Sequence, residues 1–215
     1  MQPGPHNLIT DVDGISVGNA EDSHVATGVT VILPEGRAVA AVDSRGGGPG
    51  TRETDALDPV CLVDEIDGIV LSGGSSYGLE AASTVATRLG ALGRGFAMRS
   101  EGPVSPVVPA AILYDLANGG DKQWDAAPPY GRLGDEALEA AIKAEQAGDK
   151  MFTLGNAGAG YGASAGNLKG GLGSTSFVCG DGLQIGALVA TNPFGAVVMP
   201  NTTTLWAAPW EIGDE

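Results

Sequence analysis

The sequence predicts an α/β domain, and three observations carry that prediction. Short apolar blocks, such as GVTVILPEG (28–36), DGIVLSGG (67–74) and LQIGALVATN (183–192), recur between glycines and prolines and have the length of strands. Two longer stretches, 77–93 and 133–149, carry apolar residues at helical spacing. Of 215 residues, 43% are hydrophobic, enough for a sizeable core, and 35 are glycine against about 15 from average usage, which marks an ordered, loop-rich chain. The length suits one large domain or two small ones, and residues 1–215 are taken as a single domain.

The elements follow in order. Residues 28–36 and 37–45 form an expected β-hairpin turning at Pro34-Glu35-Gly36. Residues 67–74 are a short buried strand that runs into glycines, and 77–93 follow as a helix with Leu79, Ala82, Val85, Leu89 and Leu92 on one face. Prolines break regular structure up to Pro109, after which AAILYDL (110–116) fits either strand or helix. An irregular surface loop is expected over 117–132. An amphipathic helix then covers 133–149, with acidic residues in its first turn and Gly148 as its stop. Residues 156–177 are almost all small. Strands are expected at 174–180, 183–192 and 196–200, joined by turns at Gly180-Asp181-Gly182 and Pro193-Phe194-Gly195.

Charge and composition narrow the function. A net charge of −15 argues against nucleic acid and anionic membrane surfaces as partners, since both would repel the chain. The first residues show no basic-then-apolar leader. No apolar run reaches the roughly 20 residues of a membrane span, so the expected location is the cytoplasm. Cys61 and Cys179 stand in apolar runs and read as free buried thiols. Two histidines and two cysteines do not furnish a structural zinc set, and neither a metal nor a cofactor is expected.

Three segments can carry chemistry, each with a plainer alternative. In LSGGSSYGLEAA (71–82) a strand passes through Gly73, Gly74 and Ser75 into a helix, and free N–H groups there can hold an oxyanion; the same pattern is also a generic strand-to-helix turn. Lys169, in NLKGGLGS, suits proton transfer if partial burial strips its hydration, and is otherwise a surface lysine in a turn. Asn192, in LVATNPFG, is held extended by the proline after it and can donate to an oxyanion, or else simply starts a turn. A serine–histidine triad is poorly supported: His6 and His24 both lie near the N-terminus and no G-x-S-x-G elbow occurs. A hydrolase built on this chain therefore needs a base other than histidine.

The ordered set GGSSYGLEAA, GNAGAGYGASAGNLKGGLGSTS and GALVATNPFG resembles the self-processing aminopeptidase/D-esterase family, which includes β-peptidyl aminopeptidases and nylon-oligomer hydrolases. Supporting pieces are ITDVDGISVGNAED, GVTVILPEG, AVDSRGGGPGTRETDAL and VVPAAILYDL, so the resemblance spans essentially the whole chain. It implies a four-layer αββα sandwich similar to N-terminal-nucleophile hydrolases, with its own connectivity. It further implies a precursor that cuts itself into an α chain and a shorter β chain, whose new N-terminal Thr or Ser attacks an amide. The α-amino group of that residue serves as base.

By the same resemblance, Tyr77 orients the nucleophile or oxyanion, Lys169 assists processing and catalysis, and Asn192 stabilises the oxyanion. Gly73, Gly74 and Ser75 line the substrate pocket near the scissile carbonyl. Asn201-Thr202 has the look of a self-cleavage bond, but only 14 residues follow from Thr202. LWAAPWEIGDE resembles the linker that precedes such a bond, so Asn201-Thr202 is read as a turn and the chain as the α chain. The implied partners are the β chain, further αβ units in a homo-oligomer, and a small peptide, amide or ester substrate. Two other functions stand beside this one. An acyltransferase of the ornithine-acetyltransferase type would respond to an added acyl acceptor, and a non-catalytic small-molecule binding protein of the same fold would give one uncut chain.

Overall fold

A computed structural model describes residues 2–211. Its strands, in chain order, are β1 (Gln2–Pro3), β2 (Ile15–Asp22), β3 (Thr27–Pro34), β4 (Ala38–Val39), β5 (Thr51–Arg52), β6 (Glu65–Ile66), β7 (Ile69–Ser72), β8 (Ala110–Ile112), β9 (Ser164–Ala165), β10 (Leu168–Lys169), β11 (Gly171–Val178) and β12 (Gln184–Thr191). Two helices accompany them, α1 (Leu79–Ala91) and α2 (Tyr130–Ala147). The α/β class is thus borne out. Among the described residues no helix is long and apolar enough to cross a membrane.

A five-stranded sheet in the order β2-β3-β7-β8-β5 forms the centre. Its interior strand β3, flanked by β2 and β7, is buried along its whole length, which is why it is rich in apolar, β-branched residues. Val29, Val31 and Leu33 of β3 meet Val70 of β7, Ala82, Val85 and Leu89 of α1, and Leu133, Leu138 and Ala141 of α2. Alternation along the strand sends Thr30 to the other face, where its hydroxyl accepts the Ala159 N–H at 2.9 Å. On that face Leu71 of β7, Leu113, Ala159, Ala163 and Ala190 of β12 pack together. They join the central sheet to a second one, β1-β11-β12. The order is helices, sheet, connecting segment, sheet.

The connecting segment explains the run of small residues. A methyl group at Gly28 would overlap the Gly158 carbonyl, and one at Gly160 would overlap the backbone of Leu172 and Gly171. At these two positions backbone lies against backbone between the sheets, and a side chain has no room.

Several sequence expectations need correction. Residues 37–45 do not pair with β3, because both edges of β3 are taken, by β2 and by β7. Only Ala38–Val39 is extended, against β6, and Arg37 turns away to Glu65 at 3.2 Å and Asp67 at 3.3 Å. The helix expected from 133 begins at Tyr130, because Pro129 suits a helix start and the Tyr130 side chain is wholly buried. Its first turn therefore carries no acid, while Gly148 stops it in the left-handed region at φ 65° as expected. Leu92 lies past the end of α1 and is exposed. Residues 196–200 form no strand; a lone bridge joins Val198 to Leu205. Both cysteines are free, but Cys61 is exposed and Cys179 only half-buried.

Asn201 has φ 60° in a turn closed by the Met199 N–H donating to the Thr204 carbonyl at 2.9 Å, so Asn201-Thr202 is a turn. The last four residues of LWAAPWEIGDE lie outside the described residues.

Asp11 ties the N-terminal segment to the second sheet. Its carboxylate accepts from the Ser176 hydroxyl at 2.6 Å and the Leu8 N–H at 3.2 Å, and meets His6 Nδ1 at 2.8 Å. Burial alone would raise its pKa, but the bonds from Ser176, His6 and Leu8 outweigh that and hold it at about 2. A carboxyl held below its ordinary value stabilises the fold above the unfolded pKa of about 4 and loses that contribution as pH falls towards 2. The contribution is about 2 kcal/mol. Asp11→Asn is expected to flatten the loss of stability between pH 5 and pH 2, read from denaturant midpoints; an acid slope equal to that of the unaltered chain would refute the assignment.

Candidate active site

β7 and β8 run parallel, with α1 crossing between them. In such units ligands gather at the carboxyl ends of the strands. Here those ends are Gly73-Gly74-Ser75 after β7 and Leu113-Tyr114-Asp115 after β8. Gly74 has φ 86° and Ser75 φ 53°, two consecutive left-handed residues of which the second is not glycine. Such a residue costs about 1 kcal/mol, and strain of this kind gathers at functional turns. Neither glycine of the turn has room for a side chain, since a methyl group at Gly74 would overlap the Tyr130 ring and one at Gly73 would overlap Asp115 and Thr27.

The N–H groups of this turn are not free. Gly73 N–H donates to the Gly28 carbonyl at 2.9 Å, Gly74 N–H to Asp115 Oδ1 at 2.7 Å, and Ser75 N–H to the Leu113 carbonyl at 2.9 Å. The expectation that they offer an anion hole is corrected: neighbouring acceptors of the same chain occupy them. Gly73 and Gly74 are buried, and Ser75 is half-buried.

Asn192 stands in a different state. Its Oδ1 accepts the Tyr114 N–H at 3.0 Å and its Nδ2 donates to the Ser164 carbonyl at 3.1 Å. A primary amide has two N–H bonds. The second, among the described residues, meets no acceptor, so a fixed donor is left over.

Lys169 pairs across β9-β10 with that same Ser164 and donates to Asn156 Oδ1 at 3.2 Å. It is exposed, so the partial burial envisaged for its ammonium is not provided by this chain. Ser164 thus brings Asn192 and Lys169 together, and Tyr114 ties Asn192 to the β8 end beside Ser75. Tyr77 lies in the short turn of helix Ser75–Gly78 and is 50% exposed. Its ring meets Trp124 edge-on at 5.6 Å, and Trp124 meets Tyr130 at 5.9 Å. Among the described residues no hydrogen bond joins Tyr77 to Asn192 or Lys169.

Beneath the turn lies a polar cluster that sequence reasoning missed. Asp115 is 2% exposed and accepts from the Thr27 hydroxyl at 2.6 Å as well as from Gly74. Burial pushes its carboxyl up, against the pull of those bonds and of the Lys122 charge. Lys122 donates to the Val25 carbonyl and to Asn118 Oδ1. The Tyr130 hydroxyl is buried beside Thr27, and burial raises its pKa. An acid directly after an apolar strand, in YDL (114–116), was the one signal in the sequence for this cluster.

A model of peptidase family S58 matches residues 7–213. An uncharacterised aminopeptidase of Mycobacterium leprae is 42% identical over 215 residues, covering 96% of this chain and 58% of that protein. A 6-aminohexanoate-oligomer endohydrolase of a Kocuria species is 35% identical over 202 residues, covering 91% of this chain and 50% of that protein. A crystal structure of a protein from Pyrococcus horikoshii superposes with a TM-score of 0.68 at 26% identity, covering 91% of this chain and 56% of the other. The chain therefore spans between half and three fifths of the length of each of these relatives.

Proposed function

The chain belongs to peptidase family S58, and from that premise we propose that it is the α portion of a self-processed amide hydrolase whose β portion supplies an N-terminal Thr or Ser nucleophile. The observation that carries the proposal is the state of Asn192: both ends of its amide are tied down, and one N–H remains to donate. A donor held in place before reaction costs no reorganisation when an oxyanion forms, and is worth about 3 kcal/mol to the transition state. The nucleophile's hydroxyl gives its proton to its own α-amino group as the oxygen attacks the amide carbonyl, and the spare Asn192 N–H donates to the oxyanion that forms. The α-amino group passes that proton to the departing amine, and water, deprotonated by the same group, then releases the acid from the acyl-enzyme. Lys169, one strand pairing away, assists the cut and the catalysis, and Tyr77 orients the nucleophile or oxyanion. Gly73, Gly74 and Ser75 shape the floor of the pocket through their backbone and contribute no N–H groups.

Exposed apolar surface supports a missing partner segment. β12 has β11 as its one strand neighbour among the described residues, so its other edge is open. Ile185, Val189, Phe194, Trp206 and Trp210 are exposed on or beyond it. An open edge beside apolar side chains is a surface that proteins ordinarily cover. A β portion that adds strands there, and a helical layer outside them, completes the four-layer sandwich. Several αβ units then pack into a homo-oligomer. The substrates proposed are small peptides, amides or esters, with amide oligomers of the 6-aminohexanoate kind among those to assay first.

The test is the composition of the purified full-length gene product. Two polypeptides are expected on a denaturing gel, the smaller beginning with Thr or Ser by N-terminal sequencing, together with hydrolysis of an amino-acid amide. A single uncut and fully active polypeptide would overturn the proposal. Lys169→Ala is expected to leave uncut precursor as one long band; normal processing with full activity would return Lys169 to the role of a surface residue.

A further inference from the structure

The two halves of the candidate site meet at three consecutive residues. The Leu113 N–H donates to the Ser72 carbonyl at 2.8 Å, and the Leu113 carbonyl accepts the Ser75 N–H at 2.9 Å. The Tyr114 N–H holds Asn192 at 3.0 Å. Asp115 then turns inwards and takes the Gly74 N–H at 2.7 Å and the Thr27 hydroxyl at 2.6 Å. Strand alternation makes this possible: Tyr114 faces the surface and Asp115 the core. The space around the carboxylate is kept clear, since a methyl group at Gly73 or Gly162 would overlap it. Glycines from two distant segments thus make room for one buried acid.

We propose that Asp115 is a positioning residue for the candidate active site, clamping the strained Gly74-Ser75 turn to the strand end that holds Asn192, so that both sit in one frame. It touches neither substrate nor nucleophile and acts through Gly74 and Tyr114. The inference deepens the amide-hydrolase reading and its kinetic arm rests on that reading, but its structural arm does not. A buried carboxylate that accepts two bonds fixes its neighbours because any displacement leaves those donors unpaired.

The test uses the full-length gene product. Asp115→Ala is expected to lower kcat by about 10- to 100-fold with KM within about twofold, as misplacement of a catalytic donor does. Asp115→Asn keeps an acceptor for the Gly74 N–H and is expected to recover kcat to within about fivefold of the unaltered enzyme. Wild-type kcat in the alanine variant, or no recovery with asparagine, would overturn the positioning role. Deuterium uptake in residues 72–78 and 188–195 provides the structural arm: both segments are expected to exchange faster together in the variant. Unchanged uptake in 188–195 would show that the clamp is local and would refute the coupling.

If the alanine variant does not fold, Thr27→Val removes one donor to the same carboxylate at nearly constant volume. It is expected to raise uptake in both segments to a smaller degree, and an effect confined to one segment counts against the proposal. If the unaltered protein hydrolyses no amide, the hydrolase reading fails, and deuterium uptake still decides the role of Asp115.

Discussion

Asn192→Ala is expected to lower kcat by at least about 100-fold, the cost of removing one pre-positioned oxyanion donor. Oδ1 and one N–H of the amide are engaged by Tyr114 and Ser164, which leaves the other N–H with a fixed direction. The alanine variant loses both tethers, at about 1 kcal/mol each in stability. That loss is small beside the effect on turnover, so the protein is expected to remain folded and processed. Steady-state kinetics on an amino-acid amide, with thermal unfolding as the control for folding, reads the result. Turnover equal to that of the unaltered enzyme would remove Asn192 from the mechanism and leave it as the start of a turn.

Gly18→Val is expected to have the largest effect on stability, at least about 3 kcal/mol, the upper range for overpacking a core. In a chain of this size that corresponds to roughly 6–12 °C in Tm. Gly18 lies in β2 where α2 crosses it, and a methyl group there would overlap the backbone of Ala137 and Ala141. Backbone on that side cannot move aside, because α2 is itself pressed on α1 at Gly134, where a methyl group would stand 2.7 Å from the Ala81 carbonyl oxygen. Valine favours strands by propensity, so the variant isolates the steric term. Gly173→Val in β11 is the control: a side chain there meets nothing within 4 Å, and a change within about 0.5 kcal/mol is expected. Equal effects at the two positions would refute the claim that helix contact makes Gly18 obligatory.

Gly18 also shows why part of the fold escaped the sequence. β2 reads ISVGNAED, with glycine in mid-strand and acids at its end, and neither propensity nor alternation marks it as a strand. It pairs with β3 from Ile15 opposite Pro34 to Asp22 opposite Thr27, and α2 lies against it at Gly18, contacts between segments far apart in the chain. The same limit misplaced the hairpin at 28–45. Both halves are apolar and suited to strands, but pairing depends on which edges are free, and β3 had none to offer. The helices were legible because a 3.6-residue period is a local property, and only their ends shifted.

The site was legible in a similarly uneven way. Tyr77, Lys169 and Asn192 could be singled out because they stand in motifs that resemble a family. The reading of Gly73-Gly74-Ser75 as free donors was corrected, since a glycine-rich turn looks the same in a sequence whether or not its N–H groups are taken. Thr27 and Tyr130 lie 88 and 15 residues from Asp115, and no local pattern connects the three.

By itself the sequence determined the α/β class, the two helices, the strands around 67–74 and 183–192, and membership of the family, because periodicity and ordered motifs are carried by neighbouring residues. The tertiary structure alone decided which edges pair, why Gly158, Gly160, Gly162 and Gly170 have no room for a side chain, and that Asn192 keeps a spare donor while the glycine turn keeps none. Those outcomes depend on how much room and which hydrogen-bond acceptors distant segments leave one another.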